Sequence, residues 1–178
     1  MDQSKSIMAI TTNGHDCRIP CESEYPMSIF VASSCSNEVY PEVVRVLEAL
    51  GHNAYSFGNI DGSKSMFQWD DMDFCGDGSS KEIRAALKCP DAQTSYHSDV
   101  ATLASAQACL MVLPCGLSSH LVAGYAAGQR KRTAVFTLDD LKQELMYNMF
   151  GRILFSWSDL VAWAKQLQTV EGASHGSI

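Results

Sequence analysis

The sequence predicts an open, parallel, doubly wound α/β sheet. Three observations carry that expectation. Short β-rich runs alternate with stretches of helical spacing along the chain. The run Ala108 to Leu113 is apolar throughout, as in a parallel strand buried on both faces. It ends at Pro114-Cys115-Gly116 and passes through Ser118 and Ser119 into a small-residue helix, Leu117 to Gly128. A buried parallel strand presents a loop and a helix N-terminus to a ligand in this way.

Each element follows in order. Met27 to Ser33 is β-rich and ends in small residues, so it reads as a first, central strand. Ser33 to Asn37 forms a loop with good N-cap residues. Val39, Val43, Val46, Leu47 and Leu50 then fall at helical spacing until Gly51 stops them. Asn53 to Phe57 is a second strand. Residues 58–98 differ in kind. Gly58, Gly62, Gly76 and Gly78 punctuate them, and Asp70, Asp71, Asp73 and Asp77 surround Phe67 and Trp69. A long irregular segment of this type is usually a lid or binding loop. Ser80 is expected to cap a short helix through Ile83 and Leu87, closed by Pro90. Tyr96 to Ala106 reads as a helix with Val100, Leu103 and Ala104 on one face.

The third strand, Ala108 to Leu113, and the helix Leu117 to Gly128 come next. In that helix Tyr125 is expected to pack beneath the sheet, and Gly124 and Gly128 to allow close approach to it. Thr133 to Thr137 is a fourth strand, Glu144 to Met149 a short helix and Ile153 to Phe155 a fifth strand. Ser158 is expected to cap a last helix carrying Leu160, Val161, Trp163, Ala164 and Leu167. The architecture is therefore a single doubly wound domain, flavodoxin-like or Rossmann-like, with about five parallel strands in the order 2-1-3-4-5. It is expected to span residues 27–168, between a flexible leader at 1–26 and a flexible tail at 169–178. Its switch point lies between the first and third strands. The ligand crevice is therefore expected between Ser33–Asn37 and Pro114–Val122.

The totals narrow the function. A chain of 178 residues with 46% hydrophobic residues can bury one sizeable core. A net charge of −7 disfavours a nucleic-acid backbone or an anionic membrane as partner. No apolar run approaches the ~20 residues of a membrane span. The first residues lack the layout of a signal peptide, so a cytoplasmic location is expected. The 7 cysteines include no C-x-x-C pair, and His15 with Cys17 and Cys21 is too sparse a set for zinc. Free thiols are expected, with no metal and no cofactor.

Several chemistries fail on their motifs. No G-x-G-x-x-G follows the first strand, and there is no P-loop or G-x-S-x-G elbow. Receiver domains share the strand order, but they need acids where this chain has Ser33-Ser34 and Pro114-Cys115. The simplest work for Ser118, Ser119 and the helix start is to hold an anion or a sugar hydroxyl, with helix capping as the plainer role. His120 could contact a phosphate or a leaving base, or could pack locally. Phe67 and Trp69 could stack on a base, or could anchor their own loop.

These residues carry a resemblance. Phe30-Val31-Ala32-Ser33, Phe67-Gln68-Trp69, Tyr96-His97-Ser98-Asp99, Leu113-Pro114-Cys115-Gly116-x-Ser-x-His120-Leu121, Ala123-Gly124-Tyr125-Ala126-x-Gly128 and Glu144-Leu145-Met146-Tyr147 resemble the nucleoside 2-deoxyribosyltransferase-like superfamily, deoxynucleotide N-hydrolases included. The chain looks nearest to uncharacterised bacterial members of that group. The resemblance implies a retaining reaction at the anomeric carbon of a nucleoside or nucleotide. A Glu attacks C1′, and another base or water resolves the sugar ester. It implies that Asp99 orients the system and that Ala32, Ser33 and Ser34 flank the sugar. It further implies that Ser118 and Ser119 bind the 5′ hydroxyl or phosphate and that Trp69 stacks on a base; Gly116 and His120 join them as substrate-binding candidates, and Tyr147 could close a site shared within a homo-oligomer or pack in the core. The nucleophile position, however, is Val122. Valine has no lone pair with which to attack C1′. The chain could use another carboxylate, Asp99 first among them. It could bind nucleosides or nucleotides without turnover, or Val122 could be an isolated change in an ordinary enzyme. A flavodoxin-like protein-interaction module is the alternative from a different class.

Overall fold

The computed structural model describes residues 8–12, 15–19, 26–34, 36–56, 79–139 and 144–169. In chain order the elements are β1 (Met8–Thr12), β2 (His15–Ile19), β3 (Ser28–Ala32), α1 (Tyr40–Ala49), β4 (Asn53–Ser56), α2 (Ser80–Ala86), α3 (Pro90–Ser105), β5 (Ala108–Val112), α4 (Leu117–Gly128), β6 (Arg132–Phe136), a 3-10 segment (Leu145–Met149), β7 (Arg152–Leu154) and α5 (Trp157–Thr169). Strands β3 to β7 form one parallel sheet in the order β4-β3-β5-β6-β7. This is the expected 2-1-3-4-5 order and the expected fold class. None of the helices among the described residues is long and apolar enough to cross a membrane.

Composition gives no reason for regular structure before residue 27, yet β1 pairs antiparallel with β2, Thr12 opposite His15. The signal is Asn13-Gly14 between them, a two-residue hairpin dipeptide that counting periods passes over.

The sheet is buried on both faces because β5 is apolar at every position and β3 is apolar and buried after Ser28. Ile29 and Val31 of β3, with Leu110 and Val112 of β5, join Val43, Leu47, Leu160 and Trp163 in the core beneath α1 and α5. Phe30 and Ala32, with Cys109 and Met111, face the other way, toward Leu103 of α3 and Ala123 and Ala126 of α4. Alternate side chains of one strand thus feed two cores, as the two-residue period of a strand demands. Two expectations for α4 are corrected here. Tyr125 is about half exposed and does not lie beneath the sheet. Gly124 and Gly128 have open space where a Cβ would be, so the close approach is made by Ala123 and Ala126.

Helix ends follow local hydrogen-bond chemistry. Helix α1 ends in a Schellman motif: Gly51 takes φ 84°, its N–H donates to the Glu48 carbonyl, and His52 N–H donates to that of Leu47. The cap of α2 is Ser79 rather than Ser80, in a reciprocal box with Glu82. Ser156 rather than Ser158 receives the Asp159 N–H at the start of α5. Pro90 does not close a helix but opens one. It occupies the first turn of α3, where its missing N–H costs nothing, so α3 begins six residues before Tyr96.

His52 pins the back of the sheet. Its buried ring accepts the Met27 N–H at Nδ1 (3.2 Å) and faces the Ala164 carbonyl through Nε2 (3.1 Å). These partners place the proton on Nε2 and require a neutral ring. Burial holds its pKa below the ordinary histidine value of 6.5, against a smaller opposing effect of the Ala164 carbonyl. The unfolded chain therefore takes up a proton near pH 6.5 that the folded chain refuses, and stability falls as the pH drops below that value. His52→Gln is expected to flatten this acid-side loss. Urea denaturation from pH 7.5 to pH 5, read as the difference between variant and wild type, checks it.

Candidate functional site

The site is built where β3 and β5 end side by side. β5 passes through a cis Leu113–Pro114 peptide to Gly116, the N-cap of α4. The two strand-end loops are bonded directly to each other. The Ser33 hydroxyl donates to the Val112 carbonyl (3.0 Å), and the Asn37 amide donates to the Ser33 hydroxyl oxygen and the Pro114 carbonyl (3.1 Å each). The Asn37 side-chain oxygen accepts the Val39 N–H (2.9 Å) ahead of α1. The Ser119 hydroxyl donates to the Ser33 carbonyl (3.0 Å). All three side chains are buried. Their polar atoms satisfy backbone groups that would otherwise be stranded at the strand ends. Ala32 is fully buried in the core against α4, whereas Ser34 is half-buried and shares a hydroxyl–hydroxyl bond with Ser36 (2.9 Å).

His120 sits one turn into α4. Its Nδ1 lies 3.0 Å from the Gly116 carbonyl and 3.6 Å from Cys115 Sγ, and its Nε2 lies 3.1 Å from the Tyr147 hydroxyl. The carbonyl partner puts the proton on Nδ1, so Nε2 accepts from Tyr147. The two rings stack at 6.0 Å, which docks the 3-10 segment onto the start of α4. Burial pushes the Cys115 thiol up to about 11, with a hydrogen bond to Ser119 as the smaller opposing effect. A thiol in that state is not a ready nucleophile at neutral pH. Burial, then the nearby Cys115 and Glu144, raises the Tyr147 hydroxyl as well.

A cavity of about 450 Å³ opens between α3 and α4, with the end of α2 at its edge. Asp99, Ser118 and Val122 share its wall with Val100, Leu103 and Leu121. Its size falls within the range of small-molecule sites, and its lining is largely aliphatic, as such sites are. α3 delivers Asp99 one turn before Leu103, which is buried against the sheet. α4 delivers Ser118 and Val122 from positions four apart, hence from one helix face. Burial alone pushes the Asp99 carboxyl up to about 6. A carboxyl in that range can both hold and release a proton near neutrality.

Three sequence candidates, Asp99, Ser118 and Val122, thus meet in one cavity. Gly116 is exposed at the cap. Ala32, Ser33 and Ser119 are buried in the interior and His120 pairs with Tyr147; none of these five is among the residues lining this cavity. Trp69, Phe67 and the acids Asp70, Asp71 and Asp73 lie outside the described residues. Asn37 bears more of the arrangement than the sequence suggests. Its Asn-before-helix pattern points to a local turn, and nothing local announces a bond across 77 positions to Pro114.

A solved 2-deoxyribosyltransferase from the psychrotolerant bacterium Bacillus psychrosaccharolyticus, characterised as a biocatalyst for nucleoside synthesis, has the same fold. The TM-score is 0.53 at 17% identity, over 75% of this chain and 89% of that one. No protein-family model and no curated protein matches the sequence.

Asp99 has a measurable consequence for stability. Its folded value lies above the ordinary 3.8, so the cost of burying the charge is fully present above about pH 6 and is relieved below about pH 4. Asp99→Asn removes that cost. Relative to wild type, the variant should gain nothing below pH 4 and about 1–2 kcal/mol above pH 6, after allowance for the carboxyl's partial exposure. Chemical denaturation across that range checks the sign.

Proposed function

We propose that this chain binds a nucleoside or nucleotide in the cavity between α3 and α4, on the deoxyribosyltransferase fold, and that N-glycosidic transfer or hydrolysis is impaired. The observation that carries this is the company Val122 keeps. It lines the same cavity as Asp99 and Ser118. In the superfamily that the sequence resembles, this is the position of the glutamate that attacks C1′. Asp99, with its carboxyl near the neutral range, is the group left to position a ligand or exchange a proton. An isopropyl group at the attacking position cannot form the sugar ester, which removes the covalent route and its barrier lowering. On this reading the chain is cytoplasmic, needs no cofactor and works as a homo-oligomer.

A second reading, a protein-interaction module, draws on a different observation. Leu117, Leu121 and Tyr125 recur every fourth residue along α4, and all are more than half exposed, Leu117 at 85%. Such a stripe is costly to leave in water. It suits a second copy as well as a foreign partner.

The test is Val122→Glu, assayed with purine and pyrimidine deoxynucleosides and their monophosphates for base exchange and hydrolysis. Wild type should turn over little or nothing, and the variant should gain at least ~100-fold, the scale of a restored catalytic group. Robust wild-type turnover abolished by Asp99→Asn would show instead that Asp99 serves as the working carboxylate. Thermal-shift measurements separate the two readings, since a nucleoside at ~100 times Kd adds ~2.7 kcal/mol and a bare interaction surface gives no shift.

A further inference from the structure

The polar side chains lining the cavity are Gln93, Ser95, Tyr96 and Asp99 from α3 and Ser118 from α4. A hydroxyl turns to donate or to accept as its partner requires, so Ser95, Tyr96 and Ser118 favour no ligand by the sense of a hydrogen bond. Gln93 is different. Its amide nitrogen donates to the carbonyl of Leu87, the C-cap of α2, at 2.6 Å. A carbonyl only accepts, so turning the amide over would set oxygen against oxygen. The Gln93 oxygen is therefore the end of the amide left for a ligand, and no described group donates to it. Gln93, Tyr96 and Asp99 follow at intervals of three residues along α3 and reach the same cavity. At ~1.5 Å per residue, Gln93 and Asp99 stand about 9 Å apart along the helix axis. Tyr96 lies between them, more than half exposed, with its ring edge-on to that of His97 at 5.3 Å. Across the cavity α4 presents Leu121 and Val122.

On the nucleoside reading above, the sugar lies beside Val122 and Asp99. Resting on that reading, we infer that Gln93 reads the edge of the base and selects adenine over hypoxanthine. The base runs from the sugar toward the start of α3, with one ring face over Tyr96 and the other toward Leu121. The 6-amino group of adenine donates to the Gln93 oxygen. Hypoxanthine carries an oxo group at that place, so two acceptors meet and neither is satisfied. The Leu87 carbonyl prevents the amide from turning its nitrogen to the oxo group instead. Gln93 is thus a specificity residue, held in one sense by a backbone group outside the ligand.

Isothermal titration of the full chain with 2′-deoxyadenosine and 2′-deoxyinosine tests this, in wild type and in Gln93→Leu. Wild type should bind 2′-deoxyadenosine at least about fivefold more tightly, the scale of one neutral hydrogen bond. Gln93→Leu should bring the two nucleosides within about twofold of each other. A merely structural role, through the tie to Leu87, would weaken both alike and leave their ratio unchanged, and that result overturns the role given to Gln93. Equal or tighter binding of 2′-deoxyinosine to wild type overturns the selectivity and leaves the nucleoside reading standing. Binding of neither nucleoside overturns the reading of the cavity itself, and this inference with it.

Discussion

Strand β5 has no water on either face, and the rest of the molecule answers to that constraint. All five of its residues are buried. Its neighbours β3 and β6 are buried along all but their first residue, and helices cover both sides. Where such a strand ends, its backbone polar groups must be satisfied at once, because no solvent waits there. Ser33, Asn37 and Ser119 do this. A stranded carbonyl or amide would cost about 1–3 kcal/mol, so three small polar side chains at this junction stabilise the fold more than their size suggests. The same bonds fix the start of α4 relative to β3.

With α4 fixed there, its first turns face α3, and the cavity between them is a consequence of side-chain size. Ala123 and Ala126 let α4 lie close to the sheet. Ser118 and Val122, on another face of the helix, are too small to fill the gap to α3. Asp99 then finds itself in a largely aliphatic space, which is why its carboxyl is displaced toward neutrality. The chemistry of the site therefore rests on two substituents. A carboxyl that titrates near neutral pH is present on α3. On α4, the residue that lines the same space is Val122, an aliphatic side chain. On the function proposed above, such a cavity holds a ligand but has no nucleophile on α4 with which to attack it.

Much of the scaffold was legible in the sequence. The alternation of strands and helices, the strand order and the limits of α4 follow from periodicity and from the Pro-x-Gly turn. What stayed hidden depends on choices among chemically similar neighbours. Ser79 and Ser80 are equal as caps on paper, and so are Ser156 and Ser158. The winner is whichever side chain the folded backbone aims at a free N–H. Pro90 can end one helix or begin the next, and it begins one because Cys89 caps it. Ser119 looks like a ligand donor beside Ser118, but the turn of the helix points one hydroxyl into the wall and leaves the other at the cavity. The bond from Asn37 to Pro114 joins segments that only the tertiary fold brings together. Of the candidate site, strand order pointed to Ser33–Asn37 and Pro114–Val122, whereas the cavity that Asp99, Ser118 and Val122 share lies between α3 and α4 and includes no residue of 33–37. The division of the serines between structure and site was not legible in the sequence.

The central claim is that the space between α3 and α4 is where a nucleoside sits. A crystal structure of the chain with 2′-deoxyadenosine tests it most directly. The account predicts ligand density between the two helices, with the ligand's hydrogens directed at the Asp99 carboxylate and a ring face against Val122 and Leu121. Density elsewhere on the molecule, with the cavity beside Asp99 filled only by water, would contradict it.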